Sequence, residues 1–287
     1  MRYAFIRTQE PHHRVTRLCT VLGVSRSGYY AWRDRAPSAR AREDERLLPL
    51  LRQIHMEMRE QYGAVKLWRE AKGRGIRCGR HRVARLRKLG KLEAKRVRRF
   101  RVSVEHHQLP PPAPNLLEQQ FVATVLHRIW VGDITLVATR AGWLYVAVLL
   151  DLCSRRVIGW AMREKPDQHL TLEALAMAVR QRRVHPGLIH HSDRGAQYSC
   201  TAYQQQLTTL GITPSMSGKG NCYDNAVAES FFSTLKNELV HHQTYHSRDE
   251  ASREIFAFIE GFYNRQRLHQ SLGYLSPLEF ERRLNGS

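Results

Sequence analysis

Apolar residues near the start of the chain recur at helical spacing. Leu18, Val21 and Leu22 form one stripe, Gly23 can end that helix, and Ser25 caps a second one running through Tyr29, Tyr30 and Trp32. The pair predicts a helix-turn-helix over residues 14–35, with Arg26 and Ser27 in the first turn of its second helix, where base edges or phosphates are met. A second helical set follows over 43–90. Leu47, Leu48, Leu51 and Ile54 share one face. Another helix begins at Tyr62-Gly63-Ala64-Val65-Lys66-Leu67-Trp68 and breaks at Gly73 and Gly75. In the stretch Arg80 to Leu89, Val83, Leu86 and Leu89 lie on one side and Arg82, Arg85 and Lys88 on another, which reads as a second helix-turn-helix with a cationic outer face.

From about residue 125 the pattern becomes strand-like. Trp130 to Val137, Gly142 to Leu152 and Arg156 to Met162 are candidate strands, and a helix is expected over 168–182. A fourth strand, Gly187 to Ser192, ends at Asp193. A helix over Thr201 to Leu210 and a short fifth strand, Ile212 to Met216, come next. The loop Ser217-Gly218-Lys219-Gly220-Asn221 leads to a helix over 225–239. Ser247 with Glu250 forms a capping box for an amphipathic helix burying Ile255, Phe258, Ile259 and Phe262, and Ser276-Pro277-Leu278-Glu279 repeats that logic. Three adjacent strands followed by alternating helix and strand predict an α/β fold with a mixed five-stranded sheet, preceded by an all-α region. The expected units are 1–42, 43–104, a proline-rich linker over 105–124 around Leu109-Pro110-Pro111-Pro112-Ala113-Pro114, a core over 125–240 and a helical extension over 241–287.

Charge sharpens the picture. The 287 residues carry a formal net charge of +20, and self-repulsion of that size points to a polyanionic partner, with nucleic acid favoured over membrane or acidic protein. Half of residues 80–101 are Lys or Arg. The run Lys95-Arg96-Val97-Arg98-Arg99-Phe100-Arg101 continues past the last helix and reads as an arm laid along phosphates. Five widely spaced cysteines suggest neither a disulfide framework nor a zinc site and fit a reducing cytoplasm. No apolar run approaches the ~18 residues of a membrane span, and Met1-Arg2-Tyr3-Ala4-Phe5-Ile6 is not the start of a signal peptide.

Asp133, Asp193 and Glu229 each stand in a polar island: Trp130-Val131-Gly132-Asp133-Ile134-Thr135, His190-His191-Ser192-Asp193-Arg194-Gly195 and Asn225-Ala226-Val227-Ala228-Glu229-Ser230. One acid within a strand, one at a strand end and one on a helix suit a pair of Mg²⁺ ions, which prefer oxygen ligands and relieve charge on both the attacking and leaving oxygens of a phosphodiester. Lys236, seven residues after Glu229, projects from the same helical face and is a candidate phosphate contact, as is Lys219 in the glycine-rich loop. Asn225, one turn before Glu229, is read as orienting that acid or touching DNA. Asp224 is read as a helix cap. Asp151 is expected to pair with an arginine or turn amides rather than metal. His191 shares strand parity with Asp193 and is either a site-lining or a buried, satisfied histidine. The full set of candidate DNA contacts is Lys236, Asn225, Lys219, Arg26, Arg82, Arg85, Lys88, Arg96, Arg98 and Arg99.

These residues together resemble the second-frame (OrfB) protein of insertion sequence three family transposases, similar in design to the retroviral-integrase superfamily. The resemblance runs through Leu22-Gly23-Val24-Ser25-Arg26-Ser27-Gly28-Tyr29-Tyr30-Ala31-Trp32, the three acidic islands, Tyr223-Asp224-Asn225, Tyr263-Asn264-Arg265, His269 and Leu272-Gly273-Tyr274. It implies an RNase H-like catalytic core and strand cleavage followed by strand transfer. Asp133, Asp193 and Glu229 would be the catalytic, metal-binding acids. Two Mg²⁺ ions are expected, with Mn²⁺ as a substitute. It also implies element ends and target DNA as substrates, an upstream-frame OrfA partner or OrfAB frameshift fusion, a homo-oligomer in synapsis and a bacterial cytoplasmic setting. Leu136 and the segment Leu117-Glu118-Gln119-Gln120-Phe121 depart from the family pattern at places that bear on local DNA contacts. The rival readings are a nuclease on the same fold that uses water only, and a catalytically silent DNA-binding regulator.

Overall fold

A computed structural model describes residues 1–95, 113–118, 123–218 and 225–286. The chain opens on α1 (Arg2–Gln9), α2 (Val15–Leu22) and α3 (Arg26–Arg33). Gly23 ends α2 in the left-handed region (φ 61°), where a side chain is disfavoured, and the Ser25 hydroxyl accepts the Gly28 amide at 3.0 Å. The turn and cap stand where the sequence put them. The stripe stands in part: Leu18 and Leu22 pack, partly buried, against the small core, but Val21 is exposed, and Cys19 is the fully buried residue of α2, against Ile6 and Tyr29. Helix α1 supplies that third side of the small core and had no clear apolar signature, since Ile6 is its one buried residue.

Helices α4 (Ala39–Glu57), α5 (Ala64–Gly73) and α6 (Arg80–Leu89) form the second set. Helix α4 starts at the Ser38 cap, earlier than expected. Leu47, Leu51, Ile54, Leu67, Val83 and Leu86 are buried, but Leu89, read as core, is exposed in the last turn before Gly90.

The sheet has five strands in the order β3-β2-β1-β4-β5. They are β1 (Ile129–Thr139), β2 (Gly142–Asp151), β3 (Val157–Arg163), β4 (Ile189–Ser192) and β5 (Thr213–Met216). The first three pair antiparallel, whereas β4 lies parallel to β1 and β5 to β4. This is the mixed sheet predicted, and the run Tyr145 to Leu150 is apolar on both parities because both faces are covered. One face receives α7 (Gln168–Gln181), α8 (Ala196–Ser199) and α9 (Thr201–Thr209). Helix α7 lies so close to β3 that a Cβ on Gly159 would stand 2.2 Å from the Ala174 carbonyl oxygen.

The other face receives α10 (Ala226–Glu238) and α11 (Arg248–Phe256), which continues as a π-helical stretch, Ala257–Tyr263. Both expected capping boxes form: Ser247 accepts the Glu250 amide and Ser276 the Glu279 amide. The last helix, α12 (Pro277–Asn285), brings the buried Glu281 onto Ser154 (2.8 Å), Arg156 (2.6 Å) and Arg182 (2.7 Å). Asn264 completes β3 by accepting the Val157 amide and donating to its carbonyl, both at 3.0 Å. The core on this face is continuous from Leu47 of α4 through β1 and α10 to Phe262, so the second helical set and the C-terminal helices share one interior with the sheet. Among the described residues no helix is long and apolar enough to cross a membrane.

Candidate active site

Strand alternation decides where Asp133 points. Val131 and Val137 join the core beneath α10, while Trp130 and Ile134 face α7 to α9, so Asp133 shares the α10 side. Parallel pairing of β1 with β4 ends at Val131↔His191, and Asp193 is two residues past that end, as Asp133 is on its own strand. The two acids therefore flank the point at which the strands part. Helix α10 is fastened to the same point. The Asn225 side-chain amide, buried at its start, donates to the Gly132 carbonyl at 3.0 Å, which seats Glu229 in the first turn above β1.

Asp133 is partly exposed, yet protein crowds its carboxyl. Burial first, then the charge of Asp193 and, more weakly, that of Glu229 hold it well above the ordinary carboxylate range, while the Ile134 amide (2.8 Å) and Lys236 pull the other way. Lys236 is half-buried. Burial lowers its amine, and Asp133 is the charge that opposes this. Asp193 and Glu229 are exposed, and Asp193 Oδ1 accepts the Gly195 amide at 2.9 Å. All three acids thus act on one locus with Lys236 beside it. They do not form a closed cage: among the described residues, no group of three or more acidic, histidine or cysteine side chains is gathered tightly enough to hold a metal ion. The donor chemistry still fits a hard divalent cation, because the locus offers carboxylate oxygens and its central carboxyl is under electrostatic stress that such a charge would relieve.

The flanking candidates fall in several places. His191 is buried and satisfied, with Nδ1 2.8 Å from the Ser215 hydroxyl and Nε2 3.3 Å from that of Ser217. Asp151 is buried and accepts the amides of His127, Cys153 and Ser154, the turn-anchoring role expected of it. Arg26 is exposed at the start of α3 and Lys88 on α6. Arg82 and Arg85 both bind Asp44 of α4, and Arg82 also binds Glu43 and the Arg40 carbonyl, so these two guanidiniums brace α6 against α4. Lys219, Asp224, Arg96, Arg98 and Arg99 lie outside the described residues.

Sequence reasoning passed over the buried polar cluster behind β1, formed by His190, Tyr198 and Tyr203. Burial, and then the neighbouring His191, depresses the His190 imidazole to about 3, so it is neutral. The signal available was the pair of tyrosines that follows Asp193 within ten residues.

An integrase core domain model matches residues 126–222, a second integrase core domain model matches 210–277, and an HTH-like domain model matches 42–100. Transposase InsF for insertion sequence IS3A of Escherichia coli (strain K12) is 41% identical over 285 residues, 98% of each chain. The chain belongs to the IS3 family of insertion-sequence transposases. An insertion element IS600 31 kDa protein from Shigella sonnei is 48% identical over 263 residues, covering 92% of this chain and 97% of that one. Among solved structures, the HTLV-2 integrase catalytic core domain in complex with magnesium aligns with a TM-score of 0.42 at 16% identity, over 54% of this chain and 97% of that one. The catalytic domain of Mos1 mariner transposase gives 0.41 at 15% identity, over 47% and 71%.

Proposed function

We propose that this chain is the catalytic subunit that cleaves DNA strands at insertion-sequence ends and joins them to a target. In this reading Asp133, Asp193 and Glu229 hold two divalent cations, Mg²⁺ in the cell and Mn²⁺ as a substitute. When bound, such ions supply charge stabilisation for the attacking and leaving oxygens of an in-line displacement. Asp133 is the central ligand. Asn225 fixes the start of α10 so that Glu229 faces Asp133. Lys236, on the same side, holds the phosphate next to the scissile bond. The first displacement uses water, and the second uses the 3′-hydroxyl so exposed, with no covalent bond to the protein.

The observation that carries this reading is the Asp133 carboxyl, stressed by Asp193 and Glu229 with Lys236 as its countercharge, in a chain of this family. Arg26, Lys88, Lys219 and the arm with Arg96, Arg98 and Arg99 are proposed to follow the DNA backbone. The working assembly is proposed to be an oligomer that pairs two ends, with an upstream-frame OrfA protein or OrfAB fusion supplying end recognition. The test is a strand-joining assay with pre-cut element ends and Mg²⁺. Asp133→Asn should abolish cleavage and joining while DNA binding persists. Mg²⁺-dependent joining by that variant would overturn the assignment, and cleavage without joining by the native chain would leave a hydrolytic nuclease.

A further inference from the structure

Helix α4 ends at Glu57, and the chain then reverses through two consecutive left-handed residues, Arg59 (φ 54°) and Glu60 (φ 59°). Residues with side chains seldom adopt that conformation. The turn delivers both to an open cleft of about 390 Å³ at the end of α10, which Lys95, Glu238, Leu239 and His242 also line. The Arg59 guanidinium stands over the buried rings of Phe258 and Phe262, 5.4 and 5.3 Å from their centres. Those rings hold the cation and offer its N–H groups no lone pair in return.

Arg59 is partly buried, and among the described residues its guanidinium makes no hydrogen bond or ion pair. The carboxylates of the cleft are taken, Glu60 by Lys95 and Glu238 by Arg267 at 2.7 Å. A partly desolvated guanidinium with free donors suits a two-pronged contact with phosphate or carboxylate. Its position favours phosphate. Leu239 follows Lys236 by three residues, so the cleft opens on a side of α10 adjacent to that lysine. The chain continues through a 3-10 turn, Val240–His242, whose two histidines are exposed. Burial first, and then the charge of Lys236, lowers the His241 imidazole, while His242 lines the cleft. Nitrogen-bearing side chains thus lead from Lys236, beside Asp133, to Arg59.

We propose that this cleft is a DNA-phosphate site, in which Arg59 grips the backbone of the strand whose scissile phosphate lies at Lys236. This rests on the reading of Asp133, Asp193 and Glu229 as the centre of strand cleavage. The rings of Phe258 and Phe262 keep the guanidinium in place before DNA arrives, so little side-chain freedom is lost when the phosphate is bound. Arg59 touches neither the metal nor the reacting phosphorus. It positions the strand at a second point, away from the bond that breaks.

Binding of fluorescently tagged duplex DNA to the full-length chain, measured by anisotropy without divalent metal from low to high salt, tests this, with thermal melts to show that each variant is folded. Arg59→Gln should bind several-fold more weakly and flatten the log–log plot of affinity against salt by about 0.9, the share of one phosphate contact. Arg59→Lys keeps the charge over the rings but not the two-pronged edge, so it should keep the slope and still bind more weakly. Arg180→Gln removes an exposed charge from α7, on the far face of the sheet, and should leave the slope at its native value. A native slope in Arg59→Gln overturns the proposal and leaves the cleft to a carboxylate of a protein partner. Equal flattening in Arg180→Gln overturns it as well, by assigning the effect to net charge, and so does native affinity in Arg59→Lys. None of these readings involves strand joining. Mg²⁺-dependent joining by Asp133→Asn would overturn the acid assignment instead, whatever the slope of the Arg59 variants.

Discussion

Burial, Asp193 and Glu229 raise the Asp133 carboxyl well above its ordinary range, and the half-buried Lys236 opposes them. Replacing Lys236 by Ala takes away the charge that offsets them. Strand cleavage should fall about 10²-fold, the loss expected for a group that stabilises developing charge on phosphate, and a steady-state assay at saturating Mg²⁺ reads it. Lys66 shows a different strain. Burial first, and then Arg267, lowers its amine from 10.5 to about 8, with Glu238 opposing and the ammonium set over the Tyr62 ring at 5.4 Å. The folded chain holds this proton less tightly than the unfolded chain. Stability from this group is therefore lowest below about pH 8 and rises as pH climbs from there to 10.5. Lys66→Met should be more stable than the native chain at pH 7, and its advantage should shrink by pH 10. Urea melts of both chains at the two values measure this, and a constant gap would show that the amine is not strained.

At the scale of elements, the sheet was legible because its strands are long runs covered on both faces, and Asp133 was legible as a polar residue set into one of them. Helix α1 was not, because a helix that buries Ile6 alone carries little periodicity. Val21 and Leu89 were misread as core for a related reason: spacing reports which residues share a face, not whether anything packs on it. The three acids stood out by their islands, and the pairing of β1 with β4 sets the islands of Asp133 and Asp193 side by side. The cluster of His190, Tyr198 and Tyr203 did not stand out, since its members meet across β1, β4, α8 and α9. Glu281 was also invisible, because a glutamate on a terminal amphipathic helix looks solvated until Arg156 and Arg182 close on it. Glu281→Ala leaves both guanidiniums half-buried without that partner and should cost about 3–5 kcal/mol, read by chemical denaturation. Gly159→Ala should cost about 3 kcal/mol or more, because its methyl would meet the backbone of α7 rather than a yielding side chain.

At the scale of the whole molecule, a net charge of +20 sets how the protein meets DNA. Affinity should fall steeply with salt, and replacing Arg96, Arg98 and Arg99 by Ala should flatten a log–log plot of affinity against salt by up to three phosphate contacts' worth; an unchanged slope would remove that arm from the interface. Assembly within the chain matters as much. The far end of α10 is gripped at Glu238 by the Arg267 guanidinium in a two-pronged contact, 2.7 Å at its shortest, while the Tyr62 hydroxyl accepts the Leu268 amide at 3.0 Å. The helix that carries Glu229 and Lys236 is thus clamped by segments from both ends of the sequence. A gene fragment trimmed to the sheet and α10 would strand Phe231, Phe232 and Leu235 without Ile255, Phe258 and Phe262 to cover them. Loss of turnover in such a fragment would report a collapsed scaffold, and surveys that judge remnant copies of these elements by their acidic triplet alone would count as competent many that have no means of keeping it in place.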